Sequence, residues 1–522
     1  MSKPLRHMLT VVVMVVATVF SFAIAPGAAR AADTGAITVD GTVATRYDAY
    51  QLFSATVIDD ADADQKVATD VSWANDTVRQ AVLPVLHDAG LDGSASTAQE
   101  AAEWMNGDGH MTTALPCGYW LIVADDAAIA QDEAGTAPIM VLVGGSAVTV
   151  KPKAATPKVA KHVLEDGAAA WQKAADATVA DDLYWRLSAT VPAGLTAYDT
   201  YTVQFVDTMS AGLDPSKVAA SMRVYVAAGA EGGFDAVSTG KDGRADTEPA
   251  KGWTNITAQC GVSVEGSSFT VRTGDLIAAL GGADAFTAGA RVIAVYNAPL
   301  ASGCNHGIAK GNPNEVYLRY PRSPFADQSG DAGFTRTPSD DATAYTWGLS
   351  LTKRSSSDDK PLAGAKLRIT DDRGRMLAAD GTWTTDADAY VVSGEDGRVE
   401  LSGADAGVYT VEEAAAPKGY TAFEGKRTVT VTADGLDVKQ VASAKPKVTV
   451  SAESPLRVDA ANAGTGSIEL SVLNAPSKEA SRGFMPSTGD RTLVLVAALA
   501  AIGVAAIVAA LAIKRGGGRR DK

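Results

Sequence analysis

At 522 residues, with 46% hydrophobic and 20% charged, the chain is long enough for several domains and apolar enough to give each a core. Those figures exclude a disordered acidic protein and a multi-span membrane protein. Sixty-one acids against 46 bases leave a net charge of -15, which excludes a general nucleic-acid binder, since phosphate recognition needs a basic face that releases counterions.

In chain order, Lys3 and Arg6 precede an apolar run from Met8 to Ala25, and Ala29-Arg30-Ala31 offers small residues in the pattern a signal peptidase accepts. Residues 1–31 therefore read as a signal peptide, with Ala32 as the mature start. From Ala36 onward, short runs of period-two alternation such as Ala36-Ile37-Thr38-Val39 and Ile139-Met140-Val141-Leu142-Val143 are separated by Gly, Asp and Asn, the pattern of β-sandwiches. Val71–Leu86 and Thr97–Met105 instead carry apolar residues at helical spacing, so the N-terminal domain, 32–153, is expected to hold helical insertions. Lys151-Pro152-Lys153-Ala154-Ala155-Thr156-Pro157-Lys158 reads as a linker, with proline fixing an extended path. A second domain, 154–344, closes with a Gly/Asp/Ser-rich stretch from Ser323 to Ala342. A third, 345–476, begins at Tyr345 and ends near Asn474-Ala475-Pro476. The expected fold is mainly β: tandem immunoglobulin-like sandwiches between a signal peptide and a C-terminal transmembrane helix.

Three cysteines, Cys117, Cys260 and Cys304, are too few for a disulfide-stapled scaffold. Cys260 and Cys304 fall in one predicted domain and are the pair available for a disulfide, whereas Cys117 reads as a small core residue. Asp60-Ala61-Asp62-Ala63-Asp64 opens like a calcium loop, but Gln65 stands where the turn glycine belongs and Val71 where the bidentate glutamate belongs. His87, His110, His162 and His306 show no metal-ligand spacing. Neither a phosphate-binding glycine loop nor a nucleophile elbow is present in the sequence. No metal, cofactor or hydrolytic activity is expected.

At the C-terminal end, Leu493 to Ile513 carries no charge and is long enough to cross ~30 Å of hydrocarbon as a helix. Lys514, Arg515, Arg519 and Arg520 follow it and would hold that end in the cytoplasm. Just before lies Met485-Pro486-Ser487-Thr488-Gly489, which resembles the LPxTG signal read by sortases, with Met for Leu at the first position. The resemblance implies that a sortase cysteine attacks the Thr488 carbonyl, releases Gly489 onward and holds the chain as a thioester until an amine takes it.

In the third domain, Tyr409-Thr410-Val411-Glu412-Glu413-Ala414-Ala415-Ala416-Pro417-Lys418-Gly419-Tyr420 resembles the pilin E-box, with Glu413 in register. Leu362-Ala363-Gly364-Ala365-Lys366-Leu367 resembles the second-strand signature of Cna-B domains. The resemblance implies an intramolecular isopeptide bond from Lys353, in the opening strand, to Asn474, in the closing strand Ile468–Asn474, promoted by Glu413. The chemistry requires those residue types. Burial disfavours the lysine's charge and yields a neutral, nucleophilic amine. A buried carboxylic acid can hydrogen-bond the asparagine carbonyl, shuttle protons and help ammonia leave.

The second domain follows the same logic. Val159, Lys161 and Val163 share one strand face by alternation, so Lys161 should point inward while Lys158 lies outside that face. Tyr201–Met209 resembles the central strand of the fimbrial isopeptide D2 family, with Asp207 as the acid. Gly311–Tyr320 resembles that family's closing strand, in which Asn314 is favoured over Asn312 as the acceptor. The implied bond is Lys161–Asn314. Each bond would join nearly the first and last strands of its domain.

Finally, Val148-Thr149-Val150-Lys151-Pro152-Lys153-Ala154 resembles the pilin motif at its two valines, the proline and Lys153, although Gly144, Lys151 and Ala154 replace that motif's tryptophan, tyrosine and asparagine. The resemblance implies that Lys153, with Lys151 as the fallback, accepts the Thr488 carboxyl of a neighbouring copy. Tyr47–Phe53 and Gly118–Val123 also look like N-terminal segments of fimbrial shaft subunits. Taken together, the chain resembles the major (backbone) pilins of sortase-assembled Gram-positive pili. The implied partners are other copies of itself, a pilus-specific and a housekeeping sortase, minor pilins, a peptidoglycan precursor and a host glycan or matrix ligand. The implied location is the cell wall, as a pilus on a Gram-positive surface. A monomeric wall-anchored adhesin or minor pilin is the alternative, and it would share the sorting signal without needing Lys153.

Overall fold

The computed structural model describes residues 30–39, 47–60, 65–88, 115–125, 128–136, 138–150, 156–165, 170–179, 181–193, 198–235, 249–324, 326–436, 438 and 446–477. The expected signal peptide up to residue 29, the second predicted helical insertion, Lys151 and Lys153, the stretch Met485–Gly489 that resembles a sorting signal, the apolar stretch 493–513 and the basic tail lie outside the described residues. No helix among the described residues is long and apolar enough to cross a membrane.

The described chain is mainly β, arranged as successive packed sheets. In the N-terminal part, a sheet is built on β1 (Tyr47–Asp60), which pairs with β2 (Gln65–Trp73) and with β3 (Gly118–Ala124). β3 in turn pairs with β4 (Ile139–Val143). Helix α1 (Asp76–Asp88) starts later than the apolar spacing predicts, because Val71–Trp73 complete β2, and the Asn75 side chain accepts from the Val78 amide at 2.9 Å. An asparagine in that place satisfies an orphan helix-start donor and sets the boundary. Val148–Val150 forms a strand that lies parallel to Ile37–Val39.

The middle part is a sandwich of two sheets. One has at its centre β5 (Lys158–Glu165), β6 (Tyr184–Val191) and β8 (Ala290–Asn297). The other has β7 (Gln204–Met209), β9 (Asn312–Pro321) and β10 (Asp340–Tyr345). Trp185, Leu187, Val203, Phe205, Phe269, Val316 and Leu318 from both sheets fill one core, and each such side chain is worth about 1.5–3 kcal/mol on burial. The Gly/Asp/Ser-rich stretch expected to close this domain contributes strands to it: Phe334–Arg336 and β10 both pair with β9, and Trp347 follows β10 almost directly.

In the C-terminal sandwich, one sheet contains β11 (Trp347–Ser355), β13 (Arg398–Ala404) and β16 (Ser467–Pro476). Its partner contains β12 (Lys366–Thr370), β14 (Gly407–Ala415) and β15 (Lys426–Asp434). The first and last of these, β11 and β16, are parallel neighbours, with Lys353 opposite Val472 and Ser355 opposite Asn474. Strict alternation along β11 buries Trp347, Leu349, Leu351, Lys353 and Ser355 on one face. Lysine thus occupies a position that the pleat assigns to the core.

The sandwiches meet along a hydrogen-bonded seam. The Trp347 indole donates to Asp176 at 2.6 Å, the Ala406 amide donates to the same carboxylate at 3.0 Å, and Arg375 grips both oxygens of Asp181 at 2.6 and 2.7 Å. Gly307 and Gly466 cross there with φ +69° each, so close that a Cβ on Gly307 would lie 2.2 Å from the Gly466 nitrogen. Glycine is required at both positions. The segment 128–136 of the N-terminal part also bonds to the middle sandwich, through Asp132 N to Arg336 O at 2.9 Å and Gly135 N to Arg322 O at 2.7 Å.

Candidate functional site

Each sandwich has a lysine with no exposed surface in its core. Lys161 and Lys353 are both 0% exposed, as are Asp207 and Asn314, and Asn474 is 1% exposed. Burying an ion costs several kcal/mol after relaxation, so a lysine in either position needs an acid beside it.

In the C-terminal sandwich, Lys353 and Asn474 come from the neighbouring strands β11 and β16, and Glu413 reaches across from β14 in the facing sheet. Lys353 Nζ donates to Asn474 Oδ1. Glu413 Oε1 lies 3.1 Å from Lys353 Nζ and accepts from Asn474 Nδ2 at 2.8 Å. One carboxylate oxygen therefore touches both nitrogens. Glu413 Oε2 accepts from the Phe423 amide at 3.0 Å, and the Phe423 ring centroid lies 5.3 Å from Lys353 Nζ. Burial holds Lys353 below the ordinary lysine range, against the opposing pull of Glu413. Glu412, one residue before, sits on the opposite face of β14.

The middle cluster is assembled differently. Here the lysine faces its acceptor across the sandwich: Lys161 projects from β5, while Asp207 and Asn314 come from the paired strands β7 and β9, with Asn314 opposite Met209 in the ladder. Lys161 Nζ is ion-paired with Asp207 Oδ2. A fourth residue completes the group. The Tyr296 hydroxyl, from β8 in the lysine's own sheet and one strand removed from β5, accepts from Lys161 Nζ at 2.9 Å and from Asn314 Nδ2 at 2.9 Å, and donates to Asp207 Oδ2 at 3.0 Å. Burial lowers Lys161 to about 8, opposed by Asp207, and raises Asp207 above the ordinary carboxylate range, opposed by Lys161. Burial thus narrows the gap between the two groups, and a proton passed from Lys161 to Asp207 would leave a neutral amine beside a carboxylic acid.

Asn312, the other asparagine of β9, is bound otherwise: its side chain bonds the backbone of Asn305 in both directions at 2.9 Å and the Ala344 carbonyl at 3.2 Å. Lys158 is exposed at the start of β5. The sequence reading missed Tyr296 and Phe423. A tyrosine closing the apolar run Val292-Ile293-Ala294-Val295 is itself a signal, because a buried phenol needs a partner for its hydroxyl, but nothing in the sequence shows that the partners are Lys161, Asp207 and Asn314. Cys260 and Cys304, the two cysteines available for a disulfide, are free thiols. Cys260 directs its sulfur at the Ile256 carbonyl, 3.3 Å away, and both residues pack against the middle core as small apolar groups. Cys117 is also free, half-buried, and bonded to the Ala32 carbonyl at 3.2 Å. Among the described residues, no group of three or more His, Cys, Asp or Glu side chains could hold a metal ion.

Residues 348–446 match a family model described as SpaA, a prealbumin-like fold domain. No curated protein sequence matches the chain. Among solved structures, the T6 backbone pilin of Streptococcus pyogenes is similar over 85% of this chain and 99% of its own, at 16% identity and a TM-score of 0.47. The full-length RrgB pilus protein of Streptococcus pneumoniae is similar over 87% of this chain and 94% of its own, at 14% identity and a TM-score of 0.42. The major pilin SpaD of Corynebacterium diphtheriae is similar over 70% of this chain and 80% of its own, at 15% identity and a TM-score of 0.41.

Proposed function

We propose that this chain is the shaft subunit of a covalent, sortase-polymerised pilus on a Gram-positive surface. The observation that carries the reading is the meeting of Lys353, Glu413 and Asn474 in one dry core, within 3.1 Å of the Glu413 oxygen that serves both nitrogens. A buried amine, a carboxamide carbonyl and an acid in contact form the reactant set for an internal amide. Lys353 attacks the Asn474 carbonyl carbon, Glu413 carries a proton from the attacking to the departing nitrogen, and ammonia leaves. Lys161 and Asn314 form the second such bond, with Asp207 as the acid. The domains are the signal peptide 1–31, an N-terminal domain 32–153, a middle domain 154–344, a C-terminal domain 345–476 and a sorting region 477–522.

Between subunits, a sortase joins the Thr488 carboxyl of one copy to Lys153 of the next, and a housekeeping sortase transfers the finished fibre to a peptidoglycan precursor. What supports this step is the sequence: MPSTG, apolar stretch and basic tail in that order, and a proline-lysine pair at the end of the N-terminal domain. Internal bonds suit a load-bearing shaft. Lys353 and Asn474 lie 121 positions apart, and closing a loop of that size is worth roughly 4.7 kcal/mol in the chain-entropy description of crosslinks. Unlike a disulfide, the amide is indifferent to reductants.

Two measurements test the reading. The intact mass of the purified ectodomain should fall short of the sequence mass by two ammonia molecules, and a full-mass protein would remove both internal bonds. Lys153→Ala should abolish the high-mass ladder that wall extracts give on a denaturing gel. A ladder that survives there but disappears in Lys151→Ala moves the junction to Lys151, and one that survives both removes this linker from polymerisation.

A further inference from the structure

The acid of the middle cluster does not do what the acid of the C-terminal cluster does. Glu413 contacts Lys353 and Asn474 with a single oxygen. Asp207, one methylene shorter, contacts Lys161, while the amide nitrogen of Asn314 is held by Tyr296. The tyrosine hydroxyl is the group that touches all three reactants. It is fully buried, with its ring packed edge-on against Phe269 at 4.7 Å between centroids. Two oxygens of the cluster are buried without a hydrogen-bond partner, Asp207 Oδ1 and Asn314 Oδ1. One is an acid oxygen able to carry a proton, and the other is a carbonyl oxygen that lacks a donor. A buried polar atom without a partner is costly, so both oxygens would gain from a proton shared between them.

We propose that Tyr296 is a catalytic residue of the middle module, relaying the proton that must pass from Lys161 Nζ to the departing nitrogen of Asn314. The inference rests on the internal-bond reading above. In the balanced step, Lys161 first gives a proton to Asp207 and becomes a neutral amine. Its nitrogen attacks the Asn314 carbonyl carbon and a C–N bond forms, with the charge on Asn314 Oδ1 met by the proton on Asp207. The new ammonium-like nitrogen sheds one proton to the Tyr296 oxygen, and Tyr296 passes its own proton to Asn314 Nδ2. The old C–N bond breaks and the phenol is restored; Asp207 then returns the proton it took from Lys161 to the departing ammonia, which leaves as ammonium. Aspartate and tyrosine together thus do the work that glutamate does alone in the C-terminal module.

The test is Tyr296→Phe in the full ectodomain, which retains the ring and removes one oxygen. After pulse-labelled synthesis, the Lys161–Asn314 and Lys353–Asn474 crosslinked peptides are followed over time by peptide mapping. The expected result is at least ~10-fold slower closure of Lys161–Asn314, the low end for loss of a general acid–base group, with Lys353–Asn474 unchanged. Asp207→Glu added to the Phe variant should restore part of the rate by extending the acid's reach, a gain that a purely structural role for the hydroxyl does not produce. Closure of the Phe variant at the wild-type rate overturns the relay. Absence of the Lys161–Asn314 peptide from the wild-type protein instead overturns the middle-module bond itself. Should the Phe variant fail to fold, judged by a missing Lys353–Asn474 peptide, 3-fluorotyrosine at position 296 retains the shape and changes the phenol's proton affinity. A changed closure rate then supports the relay and an unchanged one overturns it.

Discussion

The middle and C-terminal sandwiches bury the same pair of reactants and present them in opposite ways. In the C-terminal module the lysine and the asparagine lie on adjacent parallel strands, and the acid comes from the facing sheet. In the middle module the acid and the asparagine share a sheet, and the lysine comes from across the core together with Tyr296. The difference teaches that acid length and pairing geometry are linked. A glutamate that spans the sandwich meets both nitrogens, whereas an aspartate beside the asparagine on its own sheet meets only the lysine, and the phenol covers the remaining distance.

The harshest way to break the comparison is to remove the acids. Glu413→Gln and Asp207→Asn should each abolish the bond of their own module only, read as one ammonia restored to the intact mass. Each should also destabilise its module by about 3–5 kcal/mol from the uncompensated buried lysine, beyond the lost crosslink, measured by denaturant unfolding.

Acid–base linkage separates the modules next. In Asn314→Ala, which leaves the middle cluster uncrosslinked, folded Lys161 titrates near 8 while the unfolded lysine titrates at 10.5. Between those values the unfolded chain holds a proton that the folded chain has shed, so stability should rise with pH across that window, with a slope approaching about 1.4 kcal/mol per pH unit. Asp207, raised above 3.8 in the folded state, acts in the opposite sense at acid pH, where stability falls as pH climbs through its titration. A flat profile from 8 to 10.5 would show that the lysine is not held in the core.

Exchanging the acids sharpens the contrast. Glu413→Asp should slow closure of Lys353–Asn474 at least ~10-fold, as expected when an acid–base group loses its position, because no tyrosine bridges that cluster. Asp207→Glu should be tolerated, with the Lys161–Asn314 peptide still forming to completion. Equal sensitivity of the two modules to the exchange would dissolve the distinction. The smallest effect is expected at the seam between them: Asp181→Ala removes a partner shared by Arg375 and Arg373 while Arg375 keeps Asp371, and should cost about 1–2 kcal/mol for a partly buried charged hydrogen-bond pair, seen as a lower thermal midpoint with both crosslinks intact.

Much of this was legible in the residues. Alternation along Lys158–Glu165 placed Lys161 on a core face, because a strand's period of two leaves no other choice once the apolar neighbours are inside, and the Cna-B resemblance named Lys353, which β11 buries by the same period. The register of the E-box resemblance selected Glu413 over Glu412, and β14 buries Glu413 on its inner face. Local pattern was less informative where two elements compete for the same residues, as at Val71–Trp73, which pair as strand before Asn75 starts the helix. It was silent where a side chain's meaning depends on a partner far along the chain. Tyr296 reads as one more apolar strand residue until β5, β7 and β9 surround its hydroxyl, and the sequence leaves open whether Cys260 and Cys304 pair, where the structure has each thiol free against the core.

The sequence by itself determined that the chain is mainly β and built of sandwiches, since strand period and composition are local properties, and its resemblances named the lysines, acids and asparagines that the structure buries. The tertiary structure alone decided which sheet presents each reactant, that a phenol stands between amine and amide in one module, and that the seam is fastened by Asp176 and Asp181. Those outcomes depend on register and on contacts across a packed core, and a hydrogen bond between residues a hundred positions apart has no trace in the neighbours of either.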